Sequence, residues 1–329
     1  MKKQVIKIEK ITPVSFKKVE WRLGNMCNYD CEYCADESKS GDEPYIDIET
    51  NKKVVDKVSK LFNGERIQFT FTGGEPTLYP HLYELFKYIK ENNSEHQIRM
   101  FTNGSRTLRW WTEFMQEPII DFIMFTYHHT QVKNIDDFVA SVNTLNEVDV
   151  DGLVFFTCTD LNFDETVQDF EYISDRVGLD CHLKKIHGKV LNQYTEDQNV
   201  RFLDNRVKQG RLAKDKSKFS SKFDIYVESH QVDGTVEHIH DPQEIIARDQ
   251  NRYLFWDCNI GMDRIVIYSD RVYKSICQVG NLLYTVYDDF VPVTEPTRCA
   301  FNRCSCGTDI LESKVSPVLK RSISLQHQL

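Results

Sequence analysis

Three cysteines lie within eight residues near the start of the chain, at Cys27, Cys31 and Cys34. Thiolates bind zinc and iron–sulfur clusters, and a short loop can wrap three of them around one cubane. A closed cluster takes four protein thiolates, so three leave one iron open, as a catalytic metal requires. A structural zinc site would need a fourth ligand nearby, and none follows. Buried or zinc-bound thiols are the alternative interpretation.

A regular alternation of strands and helices positions this triplet. The sequence predicts strands over 19–23, 67–72, 97–102, 119–127, 153–158 and 181–186, and helices over 53–62, 82–89, 108–115, 136–145 and 166–173. Such alternation implies parallel strands joined by right-handed helical crossovers. Six units favour an incomplete barrel over a closed eight-fold one. The predicted fold class is α/β, a partial (β/α)6 TIM-like barrel with a small C-terminal cysteine-rich α+β extension.

In this architecture the loops that follow the strands gather on one face, and that face carries the chemistry. The cysteine triplet follows the first strand, and Gly73-Gly74-Glu75-Pro76 follows the second. Two glycines let the backbone turn sharply and approach a ligand closely, and Glu75 adds a carboxylate. A plain strand-to-helix turn is the alternative for this segment.

Two further loops on the same face carry polar residues. Thr102-Asn103 precedes Gly104 at the end of the third strand. The alternative to a role in the site is an ordinary β-turn. The fourth strand ends in Tyr127-His128-His129, and one histidine, with His128 preferred, would face the site as a ribose contact or proton carrier. A capped surface histidine is an equal alternative.

A second group of cysteines lies near the C-terminus. Residues 261–272 read as a hairpin with its turn at Ser269-Asp270, and this hairpin would bring flanking thiols to one end. A zinc ribbon or scattered free thiols are the alternatives. The cysteines of this group are Cys258, Cys277, Cys299, Cys304 and Cys306.

The first triplet resembles the CxxxCxxC signature of the radical S-adenosylmethionine (SAM) superfamily, and Tyr33 occupies its aromatic position before the last cysteine. The Gly-Gly-Glu-Pro segment, Gly73 to Pro76, resembles the GGE(P) motif of the same superfamily. That resemblance implies that the segment binds the methionine amino group of SAM while the open iron of a [4Fe–4S] cluster chelates its amino and carboxylate groups. Thr102-Asn103, followed by Gly104, resembles the TNG segment of members with an auxiliary cluster, and this resemblance implies a role for Thr102 or Asn103 beside SAM.

The C-terminal group resembles the SPASM/twitch extension, which holds an auxiliary [4Fe–4S] cluster. It has five cysteines rather than seven and no CxxC, so one auxiliary cluster is expected rather than two. Cys258 and Cys277 are the expected ligands, and two thiols from a set of three would complete the cluster, so one cysteine of that set would not be a ligand. That set is Cys299, Cys304 and Cys306.

Composition and sequence patterning indicate the partners, the compartment and the domain divisions to expect. The chain has 329 residues and a net charge of −9, so nucleic acid is not an expected partner. Its charged N-terminus and lack of a long apolar run predict a cytoplasmic protein without a membrane segment. The predicted divisions are an N-terminal extension (1–18), the barrel (19–220), a hairpin with the auxiliary-cluster domain (221–311) and a tail (312–329).

The resemblance implies reductive cleavage of SAM to a 5′-deoxyadenosyl radical that abstracts hydrogen from a substrate. The auxiliary cluster would accept an electron or bind the substrate, and a flavodoxin or ferredoxin would supply reducing electrons. A peptide or protein side chain is the first expectation for the substrate, and a sugar- or nucleotide-derived small molecule is the alternative. A non-catalytic zinc or iron–sulfur protein is the alternative of another class.

Overall fold

The molecule is known from a computed structural model. It describes residues 5–11, 16–148, 150–186, 193–204, 207–208, 226–239, 245–246, 249–276, 281–304 and 309–317. Cys277 and Cys306 lie outside these residues.

Strands and helices alternate through the first two thirds of the chain, and short strands follow. In chain order the elements are β1 (Val5–Ile11), β2 (Lys17–Arg22), α1 (Ile48–Leu61), β3 (Ile67–Thr72), α2 (Leu82–Asn92), β4 (Gln97–Thr102), α3 (Leu108–Phe114), β5 (Phe122–Tyr127), α4 (Ile135–Asn143), β6 (Asp151–Cys158), α5 (Phe163–Ser174), β7 (Asp180–Lys185), α6 (Glu196–Asp204), β8 (Val207–Lys208), β9 (Tyr226–Gln231), β10 (Val236–Ile239), β11 (Asp257–Cys258), β12 (Arg264–Tyr268), β13 (Arg271–Tyr273), β14 (Leu282–Thr285), β15 (Thr297–Arg298) and β16 (Lys314–Val315).

The larger sheet is the barrel. Its order is β14-β13-β12-β2-β3-β4-β5-β6-β7-β8, and neighbouring strands from β12 through β2 to β7 are parallel. Within the described residues the edge strands β14 and β8 do not pair with each other, so the barrel is open. The predicted α/β partial barrel is confirmed. The sequence did not predict that β12 pairs with β2, because this pairing joins strands that are far apart in the chain.

The main core lies between this sheet and its helices. Ile67, Phe69 and Phe71 of β3 are fully buried in it, together with apolar side chains of α1 and α2. Side chains alternate along a strand, so Gln68 and Thr70 point to the opposite, concave side. At β3 the concave side of the barrel, called the lumen below, therefore carries polar residues.

The smaller sheet is antiparallel throughout. Its order is β10-β9-β1-β16-β11-β15, so the first strand of the chain pairs with strands near its end. Ile8, Val227 and Ile310 are buried in its separate core. This sheet carries Cys258 on β11. No helix in the described part of the chain is long and apolar enough to cross a membrane.

Candidate metal centre and cofactor pocket

The first cysteine cluster lies on the loop after β2. Cys31 is buried, Cys27 and Cys34 are half-buried, and all three free thiols line one cavity of about 260 Å³. A hydrogen bond with Cys31, assisted by the Lys39 ammonium, lowers the pKa of Cys34 to about 7. Burial raises the pKa of Cys27. The loop thus gathers three metal-binding sulfurs at one wall of a cavity.

The number of donors separates the two metal interpretations. A structural zinc site is closed by four protein ligands, whereas a [4Fe–4S] cluster held by three thiolates keeps one iron open. Within the described residues Cys27, Cys31 and Cys34 are the only cysteines that line this cavity. The donor set therefore fits a cluster with an open iron better than a structural zinc ion.

The Gly-Gly segment after β3 packs against the cysteine loop. The Glu75 amide donates to the Met26 carbonyl over 2.8 Å, one residue before Cys27. Gly73 and Gly74 have φ of 82° and 51°, in the left-handed region that favours glycine. A Cβ on Gly74 would lie 2.2 Å from the Met26 carbonyl oxygen. Only glycine fits at this position while the cysteine loop keeps its place.

Glu75 ties the second loop to the third. Its Oε1 accepts hydrogen bonds from the Thr77 amide (3.0 Å), the Thr77 hydroxyl (2.7 Å) and the Thr102 hydroxyl (2.8 Å), and its Oε2 accepts from the Asn103 amide (2.7 Å). The side chain is only 1% exposed, and burial raises its pKa. Protein donors thus engage both carboxylate oxygens. Direct contact of this carboxylate with SAM stays a prediction, and its visible role is to hold the loops together.

The third and fourth loops also reach the cysteines. The Asn103 side-chain amide lies 3.8 Å from Cys27 Sγ, and His128 Nδ1 lies 3.5 Å from Cys31 Sγ. The Tyr33 hydroxyl is hydrogen-bonded to His128 Nδ1 and to Thr157, and the Tyr33 and His128 rings stack. Burial lowers the pKa of His128 to about 4, so the ring is neutral at pH 7. The sequence-predicted residues of four loops therefore converge on one cavity.

The neighbouring histidine has a different environment. His129 Nδ1 pairs with Asp169 over 2.6 Å, and the Tyr127 hydroxyl donates to the same carboxylate oxygen over 2.7 Å. Neither His129 nor Asp169 lines the cavity. The structure thus brings His128, rather than His129, to the candidate site.

Several residues that line the cavity were missed by sequence reasoning. Arg22, Lys39 and Thr126 line it, and Lys39 also donates to the Cys31 carbonyl over 3.0 Å. Arg22 and Thr126 carried a usable signal, because central strands of parallel sheets are normally apolar on both faces. Polar residues at alternate positions of such strands mark the lumen. No local pattern identified Lys39.

The second group of cysteines converges in the smaller sheet. Cys258, Cys299 and Cys304 line a cavity of about 60 Å³, with Asp309 and Lys314 among its other walls. Lys314 is buried, and its ammonium donates to three backbone carbonyls. Burial raises the pKa of Cys258.

These donors suit an iron–sulfur cluster, but the described walls enclose little space. A volume of 60 Å³ has room for only a few waters. The other two cysteines of the group, Cys277 and Cys306, fall outside the described residues. The auxiliary cluster therefore stays a prediction that the convergence of three thiols supports.

Comparison with known proteins relates part of the chain to a known superfamily. Residues 21–176 match the model of the Radical SAM superfamily. A "Probable GTP 3',8-cyclase" of Saccharolobus islandicus is 35% identical over 82 residues, and one of Saccharolobus solfataricus is 34% identical over 82 residues. The chain spans a quarter of the length of these curated relatives.

Solved structures show a similar fold. One is native anSMEcpe with bound AdoMet, with a TM-score of 0.52 and 16% identity over 82% of this chain and 78% of that one. The same protein with bound AdoMet and Kp18Cys peptide has a TM-score of 0.52 and 15% identity over the same shares. Streptococcus suis SuiB bound to precursor peptide SuiA has a TM-score of 0.54 and 12% identity over 84% of this chain and 64% of that one. Identities this low show the fold alone.

Proposed function

We propose that this chain, which contains a radical SAM domain at residues 21–176, is an enzyme that abstracts hydrogen from a substrate bound in its barrel. The domain implies a [4Fe–4S] cluster and SAM as cofactors. When bound and reduced, they supply a 5′-deoxyadenosyl radical. The observation that carries the proposal is the convergence of Cys27, Cys31 and Cys34 with the Gly73-Gly74 turn on one cavity.

Each group in this cavity has a defined task. The three thiolates hold the cluster, and among the described residues no fourth cysteine lines the cavity. Of the other ligand-type atoms in the described lining, the Glu75 carboxylate oxygens accept four hydrogen bonds and His128 Nδ1 is hydrogen-bonded to Tyr33. The Gly73-Gly74 backbone gives a ligand close access, and Glu75 holds that backbone in place.

A peptide or protein side chain is the substrate that we propose first. Two proteins of similar fold are described in complex with peptides, which supports this choice by analogy of fold. In this proposal the C-terminal cysteines hold an auxiliary cluster that takes an electron from the substrate radical. A flavodoxin or ferredoxin would reduce the first cluster in the cytoplasm, where the ten cysteines would stay reduced.

The same chemistry on a nucleotide-derived small molecule is the second candidate. The observation that favours it is the 35% identity with a probable GTP 3',8-cyclase, although this identity covers only 82 residues. Co-expression with any short peptide encoded beside the gene separates the two candidates. A change in the mass of that peptide favours the first candidate.

Anaerobic reconstitution tests the proposed function directly. We expect about eight irons per chain from two clusters. We also expect 5′-deoxyadenosine on addition of SAM and a strong reductant. Cys31→Ala should lose about four irons and all 5′-deoxyadenosine. The matched control is Cys181→Ala, because Cys181 is buried in the core and lines neither cysteine cavity.

Two results would contradict the proposal. Colourless protein that carries zinc would favour a structural metal protein. Wild-type protein with full iron content that never cleaves SAM would leave an iron–sulfur protein without this activity.

A further inference from the structure

One side of the barrel lumen, on β12, β2 and β4, carries several cations, although the protein as a whole is acidic. On β2, Val19 and Trp21 are buried in the core that faces the helices. Alternation therefore turns Lys18, Glu20 and Arg22 into the lumen, and Arg22 lines the cysteine cavity at its upper end. The net charge of −9 makes a basic interior a local feature rather than a consequence of composition.

Strand register places further cations near Lys18. Arg264 of β12 is the direct neighbour of Lys18 in the sheet, and Gln68 of β3 is its neighbour on the other side. Arg99 of β4 is paired with Thr70, one pleat above Gln68, and donates to Gln68 Oε1 over 3.2 Å. Lys18, Arg99 and Arg264 thus form the floor of the lumen, at the end opposite the cysteines.

The carboxylates near this floor already have partners. Arg264 pairs with Glu20 at 2.5 Å and also with Asp309. Glu312 binds the Lys10 ammonium through both oxygens at 2.9 Å. Glu20, Asp309 and Glu312 are thus already paired with other cations.

Lys18 differs from its neighbours. Within the described residues its ammonium makes no hydrogen bond and no ion pair. The charged groups that act on it are Lys10, Arg264 and Arg99, which repel it, and Glu312, which attracts it. Burial and these cations lower the pKa of Lys18 to about 7. A half-buried ammonium that is repelled by three cations and attracted by one carboxylate is unfavourable, and an anion that docks beside it lowers that cost.

We propose that the lumen floor, with Lys18 as its main contact and Arg99 beside it, binds an anionic oxygen group of the substrate, either a carboxylate or a phosphate. Four residues of β2 separate Lys18 from Arg22, which is about 13 Å at about 3.3 Å per residue. A substrate anchored by its anion at the floor would extend toward the cysteine loops. This inference rests on the proposed function, because it assigns the site to the substrate of that reaction.

Anion binding to the reconstituted protein tests the inference. Saturating SAM without reductant is included so that the probe does not bind the open iron. Inorganic phosphate and glutarate are titrated separately by calorimetry, as probes of the two possible sources. We expect one of them to bind wild-type protein and Lys18→Met to weaken that binding about tenfold or more, as loss of a charge-assisted hydrogen bond does.

Two further variants separate charge recognition from damage to the fold. Lys17→Met is the matched control, because Lys17 is adjacent on β2 but pairs with Asp263 and Glu65 instead. It should bind the probe within about twofold of wild type. Lys18→Arg should retain binding, because the guanidinium stays charged. Wild-type affinity for glutarate should fall about tenfold per pH unit above the lysine pKa, whereas Lys18→Arg should show no such fall.

Phosphate-selective or glutarate-selective binding that depends on Lys18 supports the inference and identifies the source of the anion. Binding of neither probe, or equal binding by Lys18→Met and wild type, overturns it. Cleavage of SAM is measured on the same wild-type sample. Its absence refutes the proposed function, whereas cleavage without Lys18-dependent anion binding refutes this inference alone.

Discussion

Replacement of Gly74 by alanine tests whether the Gly-Gly turn positions the cysteine loop. The added Cβ would lie 2.2 Å from the Met26 carbonyl oxygen and 2.8 Å from the carbonyl carbons of Asn25 and Met26. Real Cβ atoms essentially never approach closer than 3.0 Å, so the two backbones must separate by about 0.8 Å. All three of these atoms belong to the backbone, which cannot rotate away as a side chain can.

The size of the effect follows from two separate costs. The φ of 51° at Gly74 costs alanine about 1–2 kcal/mol. Overpacking against a fixed neighbour adds about 1–3 kcal/mol. The displaced residue, Met26, immediately precedes Cys27, so the strain falls on the first cluster. We expect Gly74→Ala to lose half or more of the iron of that cluster and a corresponding share of SAM cleavage.

Gly64→Ala provides the control for backbone strain alone. Gly64 has a φ of +70°, and a Cβ there would meet nothing within 4 Å. It should therefore lose only about 1–2 kcal/mol and keep its iron. Iron content and 5′-deoxyadenosine are measured for both variants after the same anaerobic reconstitution. If Gly74→Ala assembles its cluster as fully as Gly64→Ala, the close approach of the two loops does not position the thiols.

Two further predictions concern stability. Glu75→Gln should lower the free energy of unfolding by about 2–3 kcal/mol in urea titrations, because an amide cannot accept all four hydrogen bonds. The control is Glu84→Gln, at an exposed side chain, which should change the free energy of unfolding by under about 1 kcal/mol. Equal losses in the two variants would refute the assigned role of Glu75. His96 is buried, which lowers its pKa to about 4, so the unfolded chain takes up a proton that the folded chain refuses as pH falls from about 6.5. This histidine should lower the free energy of unfolding by about 3 kcal/mol between pH 6.5 and 4. His96→Gln should remove that part of the pH dependence. A difference in the free energy of unfolding between wild type and His96→Gln that does not vary with pH would contradict the reasoning.

The barrel and its first site were accessible from the sequence because both rest on local patterns. Apolar periodicity defined six strands and their helices, and β3 and β4 have the predicted bounds. The Cys27 triplet and the Gly73-Gly74 turn each lie within a few consecutive residues. Parallel strands carry such loops to one face whatever the details of packing, so their convergence followed from topology.

Contacts between distant parts of the chain required the tertiary structure. The pattern Lys18, Glu20 and Arg22 shows alternation, but only the register with β4 and β12 places Arg99 and Arg264 near Lys18. The hydrogen bonds from Thr102 and Asn103 to Glu75 likewise depend on packing between loops. The sequence by itself determined which residues can do chemistry and on which face they lie. The tertiary structure decided which charges are already neutralised, because ion pairing depends on distances that no sequence spacing sets.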